Sequence, residues 1–113
     1  MVLIDKIKVQ ELEEMSKTMQ ESIVNAVVDV NSRAIVVGAD LCSDGELLLL
    51  ESGSKQEDLW GISLWPTEYN TDGFIEFDSI INLRPRQKNY SRSVQNPEVR
   101  ARIIEIVSEA VSL

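Results

Sequence analysis

The sequence predicts an α+β fold: a mainly antiparallel sheet of four to five strands, with two principal helices (9–20 and 97–111) on one face and a short helix near 44–52. Three observations carry that prediction. Period-two alternation over 23–30 and 59–65 is the repeat of a half-buried strand. Apolar residues spaced by three and four in two other segments share single helix faces. The strand-like segments follow one another mostly through short turns instead of helical crossovers, which favours hairpins and an antiparallel sheet.

Val2 to Ile4 suits a short first strand. Val9, Leu12, Met15, Met19 and Ile23 then fall on one face of an amphipathic helix, so both methionines belong to the core. From Ile23 the pattern changes: Val24, Ala26, Val28 and Val30 share one face of a strand, and Ile23, Asn25, Val27 and Asp29 share the other. Asn31-Ser32 offers a turn before the β-branched run in 34–39, a second strand antiparallel to the first.

Ser43-Asp44-Gly45-Glu46 has the Ser-x-x-Glu form of a capping box, and Gly53 suits a left-handed helix end. The four leucines Leu47 to Leu50 fit a buried strand equally well, because so short a run has no usable period. Trp60, Ile62 and Leu64 alternate with Leu59, Gly61 and Ser63 up to Pro66, which cannot extend a ladder. On that alternation Trp60 is core, and Trp65, on the opposite face, is partly exposed and suited to a protein contact. Ile75, Phe77, Ile81 and Leu83 predict a fourth long strand over 75–83. Asn96 as N-cap, Pro97 at the first helical position and Glu98 at the positive dipole end open the final helix, whose stripe is Val99, Ile103, Ile106, Val107 and Ala110.

With 113 residues, one domain spanning 1–113 is expected. No repeat or linker divides it. The four-residue run Leu47 to Leu50 is far from the ~20 apolar residues of a membrane-spanning helix, and the first residues lack the pattern of a secretory signal. A cytoplasmic protein away from membranes is therefore expected. Cys42 is the single cysteine and histidine is absent, which excludes an internal disulfide, a thiolate zinc cage and histidine-based nucleophilic triads within the chain. Cys42 itself fits a small buried hydrophobe. No cofactor and no metal are expected; a metal here would need oxygen ligands.

Asp40, Asp44, Gly45 and Glu51 match positions of a calcium-binding loop, but Cys42 and Leu48 occupy ligand positions and a strand precedes it, so a helix-capping turn is the better reading. Glu51, Glu57 and Asp58 around Gly53-Ser54-Lys55 are the acids from which a metal or acid/base site would be built, or a solvated acidic loop.

The net charge of −8 disfavours general nucleic-acid binding and anionic membranes. The charge is uneven: residues 84–102 hold Arg84, Arg86, Lys88, Arg92, Arg100 and Arg102 against Glu98 alone. Asn82 to Arg92 leaves a strand, is too polar for core and ends just before a helix, where an anion is favoured. Two readings stay open. These cations hold an anionic ligand, or they balance the acidic remainder within the chain or across a homodimer.

Ala26-Val27-Val28-Asp29, the block Glu51 to Gly61 containing Gly53-Ser54-Lys55-Gln56-Glu57-Asp58-Leu59-Trp60-Gly61, and Ile81-Asn82-Leu83-Arg84-Pro85 with Gln87, Asn89, Ser91 and Arg92 resemble a family of short bacterial and archaeal proteins classed as a domain of unknown function. The resemblance spans nearly the whole chain. It implies Glu-Leu-His where this sequence has Asp40-Leu41-Cys42 and a serine cap where it has Lys8, so a role for that histidine is absent here. It also draws Lys55, Gln56, Glu57 and Asp58 towards the basic loop, in one polar cleft with Arg84 and Arg92.

The resulting expectation is a non-catalytic binding or regulatory module that recognises a small anionic ligand or a protein partner. Its candidate residues are Asn82, Arg84, Arg86, Lys88, Asn89, Arg92, Lys55, Gln56, Glu57 and Asp58. The alternative is a metal-dependent enzyme acting on a phosphorylated or nucleotide-like substrate, with Glu57 or Asp58 as metal ligand or base.

Overall fold

The computed structural model describes residues 1–19 and 22–113. Its main sheet has five strands, all paired antiparallel, in the order β1 (Val2–Ile4), β4 (Ile35–Val37), β3 (Val24–Asp29), β5 (Leu59–Leu64), β6 (Ile75–Glu76). A second, parallel pair joins β2 (Ile7–Lys8) to β7 (Val111–Ser112) and so ties the two ends of the chain together. The α+β class and the antiparallel sheet are as the sequence predicts.

Alternation along β3 and β5 sorts the core. Val24, Ala26, Val28, Trp60, Ile62 and Leu64 pack with Leu12 of α1 (Val9–Ser16) and with Ile103, Ile106 and Val107 of α3 (Pro97–Ala110), so both principal helices cover one face. Val27, Val36 and Leu59 face the other way onto Leu49 of α2 (Cys42–Glu51). A Cβ on Gly45 would stand 3.0 Å from Val27 Cγ2, so glycine is what lets α2 approach the sheet this closely.

Four details differ from expectation. The first helix stops at Ser16, with Lys17 to Met19 in a turn; Gln20, the last residue of the predicted span, lies outside the described residues. The leucine run is helix, but α2 begins at Cys42 with Leu41 as N-cap and no side-chain cap, so the predicted capping box does not form. Glu46 instead turns towards Arg84. The predicted long strand 75–83 shrinks to Ile75–Glu76, because Asn82 places its side-chain amide on the edge of β5 where a continuing strand would pair. The final helix ends at Ala110, and Val111 joins the small parallel sheet. Asn96 caps α3 as predicted, its Oδ1 accepting from the N–H of Glu98 at 2.8 Å and of Val99 at 3.4 Å. Gly53, at φ +105°, ends α2 with the N–H of Ser54 donating to Leu49 O, the left-handed close expected of it.

The turn between β3 and β4 rests on Asp29, which is 2% exposed. Its Oδ1 accepts from the N–H of Asn31 and Ser32 at 2.8 and 2.9 Å, and its Oδ2 accepts from Ser54 Oγ at 2.6 Å. Burial pushes the Asp29 pKa up, but the donors from Ser54, Ser32 and Asn31 outweigh it and the net shift is downward. A lowered folded-state pKa stabilises above the unfolded value of about 3.9 and is lost as pH falls through the folded value. Neighbouring Asp58 is shifted upward, chiefly by burial and then by the Asp29 and Glu57 charges, so it acts in the opposite sense. Asp29→Asn is expected to cost stability at pH 7 and progressively less as pH falls below about 4, where the unfolded carboxyl and then, at lower pH, the folded one take up a proton. Urea titrations of both proteins across that range check it; a pH-independent difference contradicts the assignment.

Candidate functional site

Pro85 starts a short 3-10 turn, Pro85–Gln87, and Lys88 closes it in the left-handed region at φ 59°. Arg84 and Asn89 then bond each other through both main-chain pairs, at 2.8 and 3.0 Å, so the basic segment is a closed loop. Two buried asparagines fasten its base. Asn82, 0% exposed, accepts from Gly61 N and donates to Gly61 O, both at 2.9 Å, and donates to Arg92 O at 2.9 Å. Asn89 donates to the carbonyls of Asn82 and Ser93 at 2.7 Å, and its Oδ1 accepts from Gln95 N at 2.8 Å. Gly61 permits this approach: a Cβ there would lie 2.5 Å from Ser79 Oγ.

Arg84 acts as the rivet. Its guanidinium, 8% exposed, lies 4.6 Å from the Trp60 ring centroid. Nε donates to Ile81 O at 2.9 Å, Nη1 to Gln56 O at 2.7 Å and to Gln87 Oε1 at 3.3 Å, and Nη2 to Leu59 O. Glu46 Oε2 of α2 stands 3.5 Å from Nη2 and makes no hydrogen bond among the described residues. Burial lowers the Arg84 pKa and the Glu46 charge opposes that shift. Of the five N–H donors of an arginine, this one uses four in hydrogen bonds within the protein.

The blocks 26–29, 51–61 and 81–92 thus meet one another: Asp29 with Ser54, Gln56 and Leu59 with Arg84, Gly61 with Asn82. A family model described as protein of unknown function (DUF5674) matches residues 1–110. The chain belongs to this family. No curated protein and no solved structure matches it. In this DUF5674 member the motif residues are largely hydrogen-bonded scaffold.

The candidate residues divide accordingly. Asn82, Arg84 and Asn89 are buried in the latch. Gln56 meets it through its main-chain carbonyl, as does Glu57, whose carbonyl accepts from Gln87 Nε2 at 3.0 Å. Arg86, Lys88 and Lys55 are exposed and, among the described residues, have no carboxylate within ion-pair distance. Asp58 is half-buried. Arg84 is buried among its own partners, and Arg92 pairs through Nε with Asp78 Oδ1 at 2.6 Å. Among the described residues, no three Cys, Asp or Glu side chains gather as a metal-holding group. Among the described residues, no helix is long and apolar enough to cross a membrane.

Arg92 and Asp78 border a cavity of about 320 Å³ that Cys42, Ser63 and Ser79 also line. Burial pushes the Cys42 thiol pKa up, against Ser79 and Arg92, which pull it down. Ser63 and Ser79 escaped sequence reasoning. The alternation in β5 placed Ser63 opposite Trp60, but no local pattern links it to Ser79, which arrives by the long loop after β6.

Proposed function

We propose that this DUF5674 chain is a non-catalytic cytosolic binding module whose docking surface is the tip of the loop 84–92, and that its partner is a protein presenting an acidic segment. One observation carries this reading. The loop directs its anchoring groups inward, while Arg86 and Lys88 stay exposed and free of carboxylates among the described residues. Beside them, Tyr90 is 64% and Leu83 43% exposed, the mixture of cation, aromatic and apolar area typical of protein contacts. A loop already closed by its own hydrogen bonds loses little freedom on docking, which leaves more interaction energy for affinity. In a chain of net charge −8, two outward cations also give an orientation to an acidic partner.

The double variant Arg86→Glu/Lys88→Glu tests this. Affinity capture from the source cell extract with wild-type protein should retain a partner that about 0.3 M salt releases, since screening shortens the reach of exposed charges. The variant should lose that partner while its thermal midpoint stays close to wild type. Capture unaffected by reversing both charges contradicts the proposal.

A further inference from the structure

Between the loop 69–77 and α3 lies a cavity of about 490 Å³, within the roughly 300–1,000 Å³ range of small-molecule sites. Phe74, Ile75, Phe77 and Ile104 give it apolar walls. One wall is held in place: Tyr69 meets Phe74 edge-on at 5.2 Å, and its hydroxyl donates to Val111 O at 3.3 Å. Ile104 remains 45% exposed on the cavity side of α3.

Arg100 also lines this cavity, half-buried, with Cζ 4.1 Å from the Phe77 ring centroid. Its Nη1 donates to Ser93 Oγ and Val94 O, both at 3.2 Å, which fixes the plane of the guanidinium. Among the described residues no acceptor meets Nε or Nη2, and no carboxylate lies within ion-pair distance. By contrast Arg33, Arg84, Arg92 and Arg102 each have one. Nε and Nη2 form the side-on edge that takes both oxygens of a carboxylate.

We propose that this cavity binds a small organic carboxylate with a flat apolar body, the carboxylate on the Nε/Nη2 edge of Arg100 and the body between Phe77 and Ile104. Asp72 on the rim disfavours a second anionic group, so a monoanion fits better than a dianion.

The probes are 3-phenylpropionate and its neutral amide, titrated by calorimetry into the full chain. Wild type should bind the acid about tenfold more tightly than the amide, as charge-assisted bidentate bonds require. Arg100→Gln should bind both alike, and Ile104→Trp, which fills the cavity one helical turn from Arg100, should bind neither. Circular dichroism confirms folding, and Ile104→Trp keeps the test decisive if Arg100→Gln unfolds. Equal affinity for acid and amide in wild type, no binding of either at millimolar concentration, an acid preference that survives Arg100→Gln, or unchanged binding by Ile104→Trp overturns the proposal.

Discussion

Arg84→Ala is expected to lower stability by about 3–5 kcal/mol, the cost of breaking a buried ion pair by removing one partner. The carbonyls of Ile81, Gln56 and Leu59 lose their donors, and Glu46 Oε2 loses the cation beside it. Arg84→Lys should recover only part of the loss, because one ammonium cannot reach carbonyls spread around a planar fork. Arg86→Ala, two residues away and exposed, should change stability by less than about 0.5 kcal/mol. Urea unfolding with an unchanged slope reads these values as stability differences.

Asn82→Ala should cost about 2–4 kcal/mol, since each buried polar group left without a partner costs roughly 1–3 kcal/mol. The affected groups are the Gly61 N–H, the Gly61 carbonyl and the Arg92 carbonyl. Asn82→Asp separates packing from hydrogen bonding: it keeps the shape and an acceptor for Gly61 N, but cannot donate when ionised. It should therefore destabilise at pH 7, with some recovery in acid as the buried carboxyl takes a proton. Equal stability of Asn82→Asp and wild type at pH 7 contradicts the described bonding.

The elements that could be read from sequence are those decided locally or by a simple period. Asn96 with Pro97 specifies a helix start that needs no distant partner, and the alternation in β3 and β5 survives because both strands lie inside the sheet. The segment 75–83 misled for a physical reason. Its alternation is real, but the Asn82 amide takes the edge of β5 in place of the strand, a bond across twenty-one positions that no local pattern announces. The leucine run is helix, and its close seat on the sheet rests on Gly45 against Val27, also distant in sequence.

The basic segment shows the same limit for the site. Its excess of cations is plain from composition, yet Arg84 is buried and Arg86 exposed at the same parity, so no period distinguishes anchor from free charge. In the sequence, Arg100 is one more charge of the basic segment. Its stacking on Phe77 and its free edge follow from the position of the loop 69–77.

Every functional reading of the loop tip requires that its base be held to the sheet by side chains standing in for a strand. The amide proton of Gly61 reports on this directly, because among the described residues its acceptor is the Asn82 side chain. Native-state hydrogen exchange should find it protected to the same degree as amides in the β3–β5 ladder, with that protection lost in Asn82→Ala. Exchange of the wild-type Gly61 amide at the rate of an open loop would mean the latch is not formed, and the account of the loop as a pre-ordered surface would fail with it.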